Sequence, residues 1–376
     1  MTSSPQRSRG WVIGKIAGAP VIVTPSWLVA AVVLTFVFTP TVRASAPALA
    51  SGGIWLAAFL FVMLLFVSVL CHEAAHALVA KRRGHQVTEL AMTLWGGHTA
   101  YTGTQKHPLD GVLIAIVGPL TNLALAAGFW FAAQAAPQGS LAAALLRLAF
   151  FANVFVGVFN LLPGLPLDGG QVLEALVWRA TGSRRRGTVA AGWVGRVVAV
   201  AVLAVALVAP VLAGRRPDLF DVALSAVVGS FLWQGAGEAI RGARRREIID
   251  TLTARQFAGR AVTVFTGTAV ADAPRAVQGV PEAALVVVDL RGAPMGWVDP
   301  ATAATVPAAV VTTTPVDAVV VPFPAGSAVD VSLTGSPFLE HLAATSAGAR
   351  IVPVVDHGRV TGVLDVARVA AALRQR

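Results

Sequence analysis

Residues 59–76 read Phe59-Leu-Phe-Val-Met-Leu-Leu-Phe-Val-Ser-Val-Leu70-Cys71-His72-Glu73-Ala74-Ala75-His76. An apolar run leads straight into His-Glu-x-x-His, with no proline or glycine between them. The run is the centre of a segment, roughly 54–80, long enough to cross a bilayer, which takes about 20 mostly apolar residues. Residues four apart on a helix share a face, so His72 and His76 can both reach one ion. Neutral imidazole is a common zinc ligand, and Glu73 is placed to take a proton from water at such an ion. Three titratable side chains inside a span are costly, and a metal ion would offset that cost. The plain alternative is a helix end already in water, with these groups solvated.

The rest of the chain agrees with a bilayer. Its 376 residues are 56% hydrophobic and 13% charged, with a mean hydropathy of +0.71; soluble domains carry about 25% charged residues. Further apolar segments fall near 16–39, 109–134, 141–163, 188–213 and 219–240, which makes six. The first follows Arg7, Arg9 and Lys15. It is longer than a signal-peptide core and lacks a clean cleavage site, so it is read as a retained spanning helix.

Basic residues alternate between the connecting segments. One side would hold Arg7, Arg9, Lys15, Lys81, Arg82, Arg83, Lys106, Arg179, Arg184, Arg185, Arg186, Arg241, Arg244, Arg245 and Arg246, whereas the other holds Arg43, Arg215 and Arg216. Arg147 and Arg196 lie within segments. This asymmetry predicts six spans with both termini cytoplasmic. The net charge of +10 sits in these clusters, without interleaved aromatics or a nucleic-acid signature, so no nucleic-acid partner is expected. Cys71 is the only cysteine, which excludes an intrachain disulfide. It is read as a small buried apolar residue, and His85, His98 and His107 as surface polar groups.

Between the second and third spans, Val87-Thr-Glu-Leu-Ala-Met-Thr-Leu-Trp95 is followed by Gly96-Gly97-His98-Thr99-Ala100-Tyr101-Thr102-Gly103. Strand formers around a glycine pair predict a short β-hairpin at the membrane surface. A catalytic zinc takes three protein ligands and keeps a position for water. The best candidate for the third is Asp168, in Asn160-Leu-Leu-Pro163-Gly-Leu-Pro166-Leu-Asp168-Gly169-Gly170. Its prolines and glycines break the fourth helix, and unwound backbone at membrane depth is tolerated where it lines a cavity. A simple turn is the alternative.

After Arg246 the long apolar runs stop. Leu285–Asp299 aligns with Ile351–Asp365 at a constant offset of 66, with Gly292 on Gly358, Gly296 on Gly362 and Asp299 on Asp365. Each copy reads as strand, glycine turn, strand, helix. The expected organisation is a membrane domain over 1–247 and a soluble α/β domain over 248–376, with repeat units near 250–310 and 311–376.

Taken together, these motifs resemble the site-2 protease family of intramembrane zinc metalloproteases. His72-Glu73-x-x-His76 is similar to its zinc helix, and Asn160-x-x-Pro163 with Asp168-Gly169 to its second signature. The resemblance implies that His72, His76 and Asp168 bind one zinc ion, that Glu73 is the general base and that Asn160 helps position the substrate. It implies that Gly96-Gly97 lies on a strand whose edge receives an unwound, single-span membrane-protein substrate. Gly118-Pro119-Leu120-Thr121-Asn122 resembles another family motif, read here as helix packing. The tail resembles paired CBS modules. That implies a polytopic α-helical membrane protein, with six spanning helices and a small membrane-associated β segment, followed by a soluble α/β tandem CBS domain that forms a homodimer. Nucleotide-binding modules of that kind carry Ser/Thr followed three residues later by Asp. Here the order is Asp299…Thr302 and Asp365…Arg368, which departs from the adenosine-nucleotide pattern. The implied setting is a bacterial cell membrane, and the implied activity is proteolysis within the bilayer. The rival is a CBS-regulated transporter or regulator with a structural metal site, in which a fourth ligand would close the metal.

Overall fold

The computed structural model describes residues 8–47, 49–102 and 107–374; Arg7, Gly103 and Lys106 lie outside them. The chain divides into two compact units, Gln6–Ala243 and Arg244–Arg376.

Among the described residues of the first unit, six helices are long and apolar enough to cross a membrane. They are α1 (Pro25–Ser45), α2 (Ser51–Arg82), α3 (Pro108–Ala135), α4 (Leu141–Asn160), α6 (Arg184–Leu212) and α7 (Leu219–Asp250). A short helix, α5 (Asp168–Thr181), lies between α4 and α6. This is a multi-pass membrane protein. Large apolar side chains such as Phe131, Phe155 and Val197 are exposed on its helices, as lipid-facing positions would be. Ala57, Ala58, Ala77, Ala115 and Ala149 are fully buried. Small residues at such positions let helix backbones approach closely, which is how spanning helices pack without a hydrophobic drive between them.

The first apolar run does not form one helix over 16–39. It is split into β1 (Trp11–Ile16), β2 (Ala19–Val23) and only then α1. Ala17 and Gly18 take left-handed conformations in the β1–β2 turn. Pro20 would break a helix interior, the β-branched Val21-Ile22-Val23 suits a strand, and Pro25 suits a first helical turn. The expected hairpin is present as β3 (Gln86–Thr93) and β4 (Gly96–Thr102), paired antiparallel from Gln86↔Thr102 to Thr93↔Gly96. It belongs to a larger sheet of order β1-β2-β3-β4, with β2 and β3 parallel. β4 is therefore an edge strand.

In the second unit two four-stranded sheets share one pattern. The first has the order β6-β7-β8-β9, formed by Ala261–Phe265, Ala284–Val288, Pro294–Val298 and Val320–Pro322. The second has the order β10-β11-β12-β5, formed by Val329–Asp330, Ile351–Asp356, Arg359–Asp365 and Ala258–Gly259. In each, a parallel pair is followed by two antiparallel ones. The repeat offset is not constant. Val287 pairs with Gly296 and Val354 with Gly362, so the copies are 67 apart before the turn and 66 after it. The second hairpin is one residue shorter, while Gly292 and Gly358 both keep a left-handed φ. Sheet membership also crosses the sequence halves. β5 completes the second sheet, Leu252 and Ala254 lie in the second core, and β9 closes the first sheet.

Candidate metal centre

α2 runs from Ile54 to Arg82 without glycine or proline. This keeps His72 and His76 one turn apart on its inner face, where both are buried, as is Glu73. α4 stops at Asn160, and the segment after it turns back before α5 begins at Asp168. The amide of Leu165 in that segment donates to the carbonyl of Ala191 on α6, at 3.0 Å. Asp168, buried in the first turn of α5, sits where a helix end favours a negative charge.

His72, His76 and Asp168 converge, with ligand atoms all within 4.8 Å of one another. Asp168 Oδ2 lies 3.1 Å from His72 Nε2 and 3.5 Å from His76 Nε2, and the two Nε2 atoms are 3.0 Å apart. The far side of each ring fixes its tautomer. His76 Nδ1 lies 2.6 Å from the carbonyl oxygen of Ile114, which can only accept, so Nδ1 carries the proton. His72 Nδ1 lies 2.5 Å from Oδ1 of Asn122. Asn122 donates its amide to Oδ1 of Asn153 at 2.9 Å, and Asn153 donates to Ser68 Oγ at 3.1 Å and to the Ala149 carbonyl at 2.9 Å. Both Nε2 atoms thus present lone pairs. They face a carboxylate oxygen that has no hydrogen-bond partner and is shielded from solvent. Three acceptors facing one another without a proton fit a cation, and two imidazoles with one carboxylate suit a divalent one such as zinc. Among the described residues, no fourth His, Cys, Asp or Glu joins the group.

Glu73 is fixed separately. The Thr99 hydroxyl lies 2.8 Å from its Oε2 and 3.1 Å from its backbone carbonyl. Two glycines make room for the chemistry. A Cβ on Gly118 would sit 2.6 Å from His72 Nε2 and still nearer His76 Nε2, and one on Gly97 would sit 2.5 Å from Glu73 Cγ. A cavity of about 470 Å³ is bordered by all the expected site residues: His72, Glu73, His76, Gly96, Gly97, Asn160 and Asp168. Trp95, in the β3–β4 turn, also lines it and stacks on Phe231 of α7, with centroids 5.4 Å apart.

Helix packing alone does not describe the Gly118–Asn122 stretch. Asn122 holds the His72 tautomer, and Gly118 backs both imidazoles. Thr99 and Asn153 also escaped the sequence reading; an asparagine in each of two apolar spans was the available signal. Cys71 is half-buried. His98 and His107 are exposed as expected, but His85 is buried, with its ring 5.3 Å from that of Tyr101. The chain turns at Gly84, and β3 opens directly after His85, whose ring meets Tyr101 of β4.

The fold and the centre define a multi-pass helical membrane protein with a buried His-His-Asp cluster and a carboxylate beside it. Residues 60–141 and 131–206, the segment that holds the centre, match the model of peptidase family M50. A relative from Synechocystis, sll0528, named as a zinc metalloprotease, is 31% identical over 247 residues, which is 64% of this chain and 62% of that protein. The chain thus spans about three-fifths of the length of the curated relatives it matches. Among solved structures, the site-2 protease from Methanocaldococcus jannaschii is 24% identical, covering 61% of this chain and 95% of that one, with a TM-score of 0.44. A CBS domain-containing protein from Kribbella flavida is 16% identical, covering 33% of this chain and 99% of that one, with a TM-score of 0.27.

Proposed function

We propose that the chain is a zinc metalloprotease that hydrolyses peptide bonds in or near the spanning helices of membrane-protein substrates. The observation that carries this reading is the buried carboxylate of Glu73, held by Thr99 next to the His72–His76–Asp168 cluster in a cavity bordered by the edge strand β4. His72, His76 and Asp168 are the zinc ligands. A bound zinc ion supplies Lewis-acid polarisation of a peptide carbonyl and makes water acidic enough to attack near neutral pH.

The chain's own residues do the rest. A stretch of substrate, unwound from its helix, pairs with β4 beside Gly96 and Gly97, because an edge strand offers unpaired backbone groups. Asn160, at the end of α4 and on the cavity wall, steadies the peptide. Glu73 takes one proton from the attacking water and delivers it to the leaving amine as the C–N bond breaks, and the water's second proton is released as the new carboxylic acid ionises, so the products are a carboxylate and an amine. The missing fourth ligand among the described residues speaks against a purely structural metal.

The arginine distribution favours cytoplasmic termini, and the proposed setting is a bacterial cell membrane. The proposed organisation is a protease domain over 1–247 and a tandem CBS domain over 248–376. The pattern is reversed at Asp299…Thr302 and lacks a Ser/Thr at Asp365…Arg368, so dimerisation of that pair is at least as good a reading as binding of an adenosine nucleotide.

The test is Glu73→Gln, in purified full chain with a reconstituted single-span substrate. Loss of cleavage with one zinc retained per chain supports the proposal, whereas cleavage at the parent rate overturns it. Membrane proteomics of cells carrying the same variant would then name substrates, as single-span proteins that accumulate only there.

A further inference from the structure

Arg196 has no part in the metal centre, yet it lies within α6, a helix apolar enough to span the bilayer. Its guanidinium is held between two indoles, 4.7 Å from the ring centroid of Trp193 and 4.9 Å from that of Trp233 on α7. Its Nε is shielded from solvent and has no hydrogen-bond partner. A second guanidinium, that of Arg241 on α7, approaches the same place. A Cβ on Gly237 would stand 3.5 Å from Arg196 Nη2 and 3.2 Å from Arg241 Nη1. Among the described residues neither arginine has a carboxylate partner, although Glu238 is close by in sequence. Two cations brought together without an anion repel. The arrangement is complete only when something negative lies between them.

The position along the helices says what that anion is attached to. From Val197 to Leu212, α6 carries no charge, and from Val222 to Gly237 neither does α7. Arg196 and Arg241 therefore mark the same end of the two uncharged runs, where a bilayer changes from acyl chains to head groups. Half-exposed tryptophans such as Trp193 and Trp233 are typical of that level. Directly beside Trp233, a groove of about 320 Å³ runs between α6 and α7, bordered by Ala199, Val200, Leu203, Gly229 and Ser230. It lies toward the uncharged part of both helices.

We propose that Arg196 and Arg241 bind the phosphate of an anionic phospholipid, flanked by Trp193 and Trp233, with one of its acyl chains in the α6–α7 groove. Guanidinium groups suit phosphate because paired N–H donors match its oxygens. Basic pockets between spanning helices are a known setting for anionic head groups. A free phosphate ion would use the same two arginines but not the groove, and the lipid is the occupant that accounts for both.

The experiment uses the full chain, purified in detergent, stripped of lipid and offered phosphatidylglycerol or phosphatidylcholine of identical acyl chains, with retention read by native mass spectrometry. The parent is expected to retain phosphatidylglycerol about tenfold better, as suits a site read by charge. Arg196→Gln with Arg241→Gln is expected to bring the ratio close to one, and millimolar inorganic phosphate to leave the parent ratio unchanged. No preference in the parent, an unchanged preference in the double variant, or displacement by inorganic phosphate would each overturn the assignment. Should the double variant fail to fold, a phosphatidylglycerol with a photoreactive acyl chain settles the matter in the parent. Crosslinks to 193–203 and 226–241 support the site, and crosslinks confined to other helices sink it.

Discussion

Gly97 lies against Glu73 so closely that a Cβ at position 97 would stand 2.5 Å from Cγ of the carboxylate side chain and 3.0 Å from its Oε1. The strand bordering the cavity and the acid inside it thus share one surface. Under the proposed mechanism, glycine at 97 serves the base as much as it serves a peptide laid along β4.

Gly97→Val is therefore expected to push Glu73 off its Thr99 hydrogen bond. A displacement of about 1 Å at a reacting group costs roughly 100-fold in rate, so cleavage of a reconstituted substrate should fall by about that factor. Zinc content, read by elemental analysis, should stay at the parent level, because the three atoms nearest that Cβ all belong to Glu73 and none to a proposed ligand.

Asn122→Leu removes the acceptor that keeps the proton on His72 Nδ1. Loss of such an outer partner typically weakens metal binding 10–100-fold. Competition against a chelator of known affinity should show a drop in that range, with His76, anchored on the Ile114 carbonyl, still contributing.

Asn153→Leu is expected to weaken zinc by a smaller factor, since it leaves Asn122 in place but takes away the oxygen that orients its amide. Groups in one hydrogen-bond chain do not act additively. The double variant Asn122→Leu with Asn153→Leu should bind zinc about as weakly as Asn122→Leu alone; a full product of the two losses would show that the chain does not work as a unit.

Asp168→Asn replaces the shielded, unpartnered carboxylate oxygen with a group of no net charge. Anything that binds only the folded state raises the melting temperature by mass action. The chelated parent should gain several degrees when zinc is restored, and the Asp168→Asn protein should gain little at the same zinc concentration.

The parts of the centre that were legible in the sequence are those with a fixed spacing or a chain break. His72 and His76 are one helical turn apart in any unbroken helix, and Asp168 follows prolines that had to end α4. The supporting residues were harder to see. Asn122 and Asn153 sit in different spans, and only the packing of α3 against α4 brings them together. Thr99 reaches Glu73 across the hairpin, a contact set by tertiary placement. The start of α1 is not legible in the sequence because Val21-Ile22-Val23 is apolar in either structure. Periodicity cannot separate a short buried strand from a helix, and the partner that decided it, β3, lies far away in sequence. A one-residue difference between two hairpin turns was likewise invisible in an alignment carried by matching glycines.

The placement of β5 bears on how the second unit can be cut. Because Leu252, Ala254 and β5 belong with the later repeat, the earlier repeat is nested inside the later one and does not precede it as a bead on a string. A truncation after Pro322 would leave the first sheet all of its strands, but would strip Leu252 and Ala254 of the core they fill. Removing 261–322 and rejoining the ends would keep the second sheet whole. Dissection of this tail should follow that nesting and not the midpoint of the sequence.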